Sequence, residues 1–180
     1  MKIMVASDIH GSGYYARQLL TAFEREAPEK LLLLGDLLYH GPRNALPREY
    51  DPPCVAELLG QIQDRILCVQ GNCDADVDQM VLPFPILAPS LLLYAGGRMI
   101  FATHGHIYGE DHPPRLHKGD ILLNGHTHVP ALREHNTFTY VNPGSVSIPK
   151  EDSWHGYLML EDAGLAWKAL DGTNKMFMAL

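Results

Sequence analysis

The chain opens with short apolar runs separated by stretches that are apolar on one side only. Residues 3–6, 31–34 and 66–69 are continuous hydrophobic runs of strand length, the pattern of strands covered on both faces. Between the first two, residues 14–26 put Ala16, Leu19, Leu20 and Phe23 on one stripe, which predicts an amphipathic helix. A loop carrying Pro42, Pro47, Pro52 and Pro53 follows the second run, and a second helix is expected near residues 55–63. This is the βαβ order, so parallel pairing is the expectation for the first half.

After Pro85 the texture changes. Residues 86–94 and 98–103 flank Ala95-Gly96-Gly97, a hairpin signal, and further strand-like runs lie at 121–123, 138–141, 157–160 and 165–169. No repeat, low-complexity tract or Gly/Ser-rich linker marks a boundary. Residues 1–180 are therefore expected to form a single α/β domain, with strands in the core and helices outside.

Composition narrows the function classes. Residues of the AVILMFWYC set make up 46% and charged residues 19%, enough apolar material for a core and too little charge for a disordered or coiled-coil chain. A net charge of -7, from 14 Lys plus Arg against 21 Asp plus Glu, leaves no basic footprint for a nucleic-acid duplex, so any phosphate-bearing ligand must be attracted locally. No apolar run approaches a membrane span and no leader is visible. Cys54, Cys68 and Cys73 form neither a CxxC pair nor an even disulfide framework, so a cytoplasmic, reducing location is expected.

Ten histidines against five phenylalanines invite a search for metal ligands. Five strand-like runs are each followed by ligand types: Asp8 and His10, Asp36, Asn72, His104 with His106, and His126 with His128. In an open α/β sheet such strand ends border the ligand crevice, so these groups can converge although distant in sequence. Two carboxylates, one amide and four imidazoles (His106 apart), with no thiolate among them, suit Mn²⁺, Fe²⁺, Zn²⁺ or Co²⁺. Seven ligands exceed one tetrahedral ion; with a bridging carboxylate they serve two ions, an arrangement suited to phosphoryl displacement. Taken singly, each has a plainer alternative. Asp8 and Asp36 suit helix caps, Asn72 a turn, and His104 or His126 a satisfied strand-end histidine. The conjunction of five such turns outweighs them.

The series Asp8-x-His10, Gly35-Asp36, Gly71-Asn72, His104 and Gly125-His126-x-His128 resembles the calcineurin-like metallophosphoesterases in order and spacing, over the whole chain. Residues 40–47, 71–74, 77–80 and 142–150 look specifically like a small bacterial phosphodiesterase of that family. The resemblance implies a β-sandwich core flanked by helices, in four αββα layers, with a dinuclear site at the strand ends. It implies that Asp8, His10 and His128 hold one metal, that Asn72, His104 and His126 hold the other, and that Asp36 bridges. It also implies hydrolysis of a small organic phosphodiester by in-line attack of a metal-bridging water or hydroxide; from the mixed carboxylate, amide and imidazole set, Mn²⁺ is expected ahead of Zn²⁺, Fe²⁺, Co²⁺ and Ni²⁺.

One position departs from the family pattern. Many relatives carry histidine after the asparagine, where it is thought to protonate the leaving group; here the residue is Cys73. A thiol is a poor general acid near neutrality, so the departure favours diesters or activated esters over monoesters with poor leaving groups. A small buried filler is the alternative role for Cys73. Arg43 and His106 are further candidates for contact with substrate, and residues 108–118 for covering the crevice or meeting another subunit. The competing function is an inactive phosphoesterase-fold scaffold for protein–protein interaction, disfavoured because every ligand type is present. Self-association as a dimer or tetramer is the expectation for relatives of this type.

Overall fold

The computed structural model describes residues 2–180, in which the strands form two mixed sheets. The first has six strands: β1 (Lys2–Ala6), β2 (Lys30–Leu33), β3 (Ile66–Cys68), β9 (Gly156–Glu161), β10 (Gly164–Ala169) and β11 (Asn174–Ala179), in the order β11-β10-β9-β1-β2-β3. The second has five: β4 (Leu91–Ala95), β5 (Arg98–Ala102), β6 (Asp120–Leu123), β7 (Ala131–Glu134) and β8 (Phe138–Asn142), in the order β4-β5-β6-β8-β7. Each sheet contains one parallel trio, β1-β2-β3 in the first and β5-β6-β8 in the second. The remaining pairs are antiparallel.

Period-two alternation explains how the layers stack. Ile3, Val5, Leu32 and Leu34 point between the sheets, where they meet Ile100, Ala102, Ile121, Leu123, Val141 and Trp167. Met4, Ala6, Leu31 and Leu33 point the other way, into a cluster with Ala16, Leu19, Phe23, Val55 and Leu59. The latter come from α1 (Gly13–Glu26) and α2 (Pro52–Gly60). Both faces of β1 and β2 are thus apolar, which is why these strands read as unbroken hydrophobic runs.

The helices begin and end where their caps dictate. Ser12 caps α1 by accepting the Tyr15 N–H at 3.3 Å, and Ala27, in the left-handed region just before Pro28, ends it. Asp51 caps α2 through Cys54, and Pro52 and Pro53 occupy its first turn, where a missing N–H costs nothing. The helix therefore starts three residues before the expected 55 and ends at Gly60, ahead of a 3-10 turn at Gln63–Arg65. The short helix α3 (Asp76–Gln79) follows β3.

Other segments also differ from expectation. Residues 86–90, expected to begin a strand, are a crossover held by side chains: the Ile86 N–H donates to Gln79 Oε1 and Thr103 Oγ1 donates to the Pro89 carbonyl, each at 2.9 Å. The hairpin strand begins only at Leu91. Edge strands β7 and β11 were not anticipated: β7 is a four-residue Ala-Leu-Arg-Glu segment, and β11 has an apolar run at 176–179 that the sequence reading passed over. Residues 105–119 lie against the outer face of the five-stranded sheet, with Leu116 packed on Leu122, Phe138 and Tyr140, and the Tyr108 ring edge-on to Phe101. That face is layered by loop, while α1 and α2 flank the six-stranded sheet. No helix among the described residues is long and apolar enough to cross a membrane.

Candidate metal centre

The carboxyl ends of both parallel trios open toward one place. Asp8 and His10 follow β1, Asp36 follows β2 and Asn72 follows β3; from the other sheet, His104 follows β5 and His126 with His128 follow β6. The turns are laced together beyond the strands: Asp8, His10 and Gly11 donate their N–H groups to the carbonyls of Gly35, Asp36 and Leu37 at 2.9–3.1 Å. The sheets are joined through the site itself, because the His126 N–H donates to Asp8 Oδ2 at 3.1 Å.

Asp8, His10, Asp36, His126 and His128 all have positive φ, between 49° and 66°. Asp and His enter this region more readily than most residues, yet each such backbone still costs on the order of 1 kcal/mol, and such strain collects at functional sites. Gly71 and Gly125 serve close approach. A Cβ on Gly71 would strike the Asp36 carboxylate, and one on Gly125 would strike the Ser7 side chain.

The imidazoles are oriented by backbone carbonyls. His10 Nδ1 lies 2.7 Å from the Tyr39 carbonyl oxygen, His128 Nδ1 2.8 Å from that of Ile148, and His104 Nδ1 2.6 Å from that of Leu34. A carbonyl only accepts, so each Nδ1 carries a hydrogen and Nε2, which holds a lone pair whenever the ring is neutral, is aimed into the site. Those lone pairs face other acceptors. His10 Nε2 and His128 Nε2 are 3.3 Å apart, and Asp8 Oδ1 lies 3.5 and 3.3 Å from them. His104 Nε2 is 3.0 Å from Asn72 Oδ1, 3.2 Å from His126 Nδ1 and 3.4 Å from Asp36 Oδ2. Asp36 Oδ2 is also 3.6 Å from His10 Nε2, so Asp36 stands between the two groups. Asp8 Oδ1 is fully buried with no hydrogen-bond partner.

Lone pairs and carboxylate oxygens converging in this way repel unless a proton or a cation sits among them, and this donor set fits divalent cations. The field says the same. Burial opposes charge on His104, yet the Asp36 and Asp8 carboxylates raise it to about 9. Burial would push the Asp8 carboxyl up, but His10 and His128 hold it well below the usual range. His126 and His106 are lowered, by burial and then by His104.

Asp74 has a positioning role that the sequence reading missed. Its Oδ2 accepts the N–H groups of Asp36 and Gly71 at 2.8 and 2.7 Å, and its Oδ1 that of Leu37 at 2.9 Å. The partners lie up to 38 residues away, so no local pattern announced it. Cys73 donates its N–H to Asp36 Oδ1 at 2.8 Å, and its thiol lies with His10 and Asp36 as a third candidate ligand group. Burial and then the Asp36 carboxylate push that thiol up to about 12.

A cleft of about 430 Å³ opens over Asp36, Asn72, His126 and His128, with Arg43, Asn44, Cys73, Thr127 and Lys150 on its walls. Arg43 is therefore brought to the site. His106 is exposed, its ring centroid 5.4 Å from that of His104 and 6.3 Å from that of His126, outside the converging set.

Known proteins share this frame. The model of the calcineurin-like phosphoesterase superfamily domain matches residues 1–163. Phosphodiesterase YfcE of Escherichia coli K12 is 44% identical over 171 residues, covering 95% of this chain and 93% of that protein. A solved structure of YfcE, a phosphoesterase from E. coli, superposes with a TM-score of 0.95 at 43% identity, covering 99% of both chains. The probable metallophosphoesterase YsnB of Bacillus subtilis is 26% identical over 167 residues, 89% of this chain and 83% of that one. With the family model matched over residues 1–163 and a fold that superposes on YfcE along nearly its full length, the chain belongs to the calcineurin-like phosphoesterase superfamily.

Proposed function

We propose that this protein is a phosphodiesterase with a dinuclear divalent-metal centre, acting on small organic phosphodiesters. The observation that carries the reading is the face-to-face arrangement of imidazole lone pairs and carboxylate oxygens, with His10 Nε2 and His128 Nε2 at 3.3 Å beside the unpartnered Asp8 Oδ1. Asp8, His10 and His128 would hold one ion, Asn72, His104 and His126 the other, and Asp36 would serve both. When bound, the two ions supply Lewis acidity toward phosphate oxygens and a nucleophilic water at neutral pH, with Mn²⁺ the first candidate.

The chain's own contribution is position and charge. Carbonyls of Tyr39, Ile148 and Leu34 hold Nδ1 of His10, His128 and His104, so Nε2 is the atom each ring presents to an ion. Asp74 sets the Asp36 backbone, and Cys73, on the cleft wall, is assigned to the leaving-group side. Its high-lying thiol donates a proton poorly, which supports diesters with competent leaving groups as substrates.

The test is hydrolysis of bis(4-nitrophenyl) phosphate by chelator-stripped protein, followed by titration with single metals. Loss of activity on stripping and recovery with Mn²⁺ ahead of other common divalent ions is expected. Full activity in protein shown to contain no metal would overturn the reading.

A further inference from the structure

The cleft over the metal centre holds more positive charge than a simple phosphodiester calls for. Lys150 and Arg43 both line it, and among the described residues neither side chain has an ion-pair or hydrogen-bond partner. Each stands on a constrained segment. The Lys150 N–H donates to the His128 carbonyl at 3.1 Å while the Ile148 carbonyl meets His128 Nδ1, so residues 148–150 grip His128 from two sides and carry Lys150 at the cleft wall. On the Cys73 side, Asn44 Nδ2 donates to the His40 carbonyl at 2.9 Å and the Asn44 N–H to that of Gly41 at 3.3 Å, folding a tight turn whose exposed corner includes Arg43.

A diester bears a single negative charge. Two divalent ions against the Asp8 and Asp36 carboxylates leave a net charge of +2, which already exceeds what that phosphate supplies. Two further unpaired side-chain cations on an acidic chain, in a cleft whose other wall residues outside the metal-binding set are Gly41, Pro42, Asn44, Cys73 and Thr127, match an additional anion on the substrate.

Resting on the phosphodiesterase reading above, we propose that Lys150 and Arg43 are specificity-determining residues selecting phosphodiesters whose retained arm carries a second anionic group, a carboxylate or a terminal phosphate. Arg43 can engage such a group in bidentate fashion, and Lys150 meets it as a point charge.

The experiment compares three 4-nitrophenyl phosphodiesters that share one leaving group: a propyl, a carboxyethyl and a phosphonooxyethyl ester. The metal-loaded wild type is expected to prefer the charged arms in kcat/KM, mainly through KM. Lys150→Ala should lower the charged-to-neutral ratio about tenfold, the scale of one charge-assisted contact, with Lys150→Arg restoring it and Lys150→Glu inverting the preference. Arg43→Lys should lower the ratio more for the terminal phosphate than for the carboxylate. Calorimetric binding of the matching non-hydrolysable phosphonates separates recognition from turnover. Discrimination in binding without hydrolysis of any ester would sink the phosphodiesterase reading and leave the charge recognition standing. A wild-type ratio near one, or equal losses on all three esters in the Lys150 variants, would overturn the proposal.

Discussion

Asp74 holds the backbone of Asp36 from 38 positions away, its Oδ2 accepting the Asp36 N–H at 2.8 Å while the same oxygen accepts from Gly71. One buried carboxylate thereby sets the turn after β2 and the turn after β3 against each other, the two turns that deliver Asp36 and Asn72. Replacing it by alanine strands three buried N–H groups, those of Asp36, Leu37 and Gly71, and each unsatisfied donor costs about 1–3 kcal/mol. Asp74→Ala should therefore lose roughly 3 kcal/mol or more in urea unfolding. Asp74→Asn, which keeps one acceptor oxygen, should lose less and bind metal more weakly than wild type. An alanine variant as stable as wild type would show that the three bonds are replaced by solvent.

Asp36 and His106 make a sharper comparison, because both are polar groups near the centre and only one lies between the two ligand groups. Asp36 Oδ2 is within 3.6 Å of His10 and 3.4 Å of His104, whereas His106 is exposed. Asp36→Asn, which retains an acceptor for the Cys73 N–H, should reduce kcat/KM at least about a hundredfold, and His106→Ala only a few-fold. Metal content and thermal unfolding measured alongside separate site loss from misfolding. Comparable losses in two folded proteins would remove Asp36 from its bridging position.

Much of this was legible because strand ends concentrate chemistry. The runs before Asp8, Asp36 and His126 are almost wholly buried, and those before Asn72 and His104, though nearer a sheet edge and half-buried in part, are still unbroken and apolar, so hydrophobicity marked where each strand stopped and the polar group began. Position relative to a distant partner was not legible. The carbonyls of Tyr39, Ile148 and Leu34 that set the imidazole tautomers belong to residues whose side chains say nothing of the role. The positive φ at Asp8 and His10 had no local signal beyond residue type, and α2 began earlier than its apolar stripe because its first turn is proline. Lys150 was one cation in a polar loop until His128 proved to be its neighbour.

Away from the centre, Glu26 ties the end of α1 to the six-stranded sheet, bonded to Lys168 Nζ and to the Tyr157 hydroxyl at 2.9 Å. Burial alone would raise its carboxyl; the Lys168 ammonium and then the Tyr157 hydroxyl hold it below the usual glutamate value. A carboxylate lowered on folding adds stability above its unfolded pKa, and that stability is lost as pH falls through the folded value. Glu26→Gln should therefore be less stable than wild type at pH 7, with the gap closing in the acidic range. Urea midpoints from pH 7 down to pH 3 measure this, and a gap that stayed constant would mean that the interaction does not depend on charge.

Position 73 offers a test of what controls substrate class. The Cys73 backbone N–H is fixed on Asp36 Oδ1 and its side chain lies on the cleft wall, so a replacement side chain keeps its anchor and enters the same space. Cys73→Ala should leave hydrolysis of an activated aryl diester largely intact, because a 4-nitrophenolate departs without a proton. Cys73→His brings an imidazole whose ordinary pKa lies near the working pH, and positioned general acids contribute about 10²–10⁴-fold in favourable cases. A share of that gain should appear selectively on alkoxide-like leaving groups, raising the monoester-to-diester ratio of kcat/KM for matched esters of one alcohol while the aryl diester changes little. The gain should also fall away above the imidazole pKa, which a merely steric effect of the larger side chain would not reproduce. A flat pH response and an unchanged ratio, in a folded variant with full metal content, would move the control of substrate class from Cys73 to the shape of the loop around Arg43.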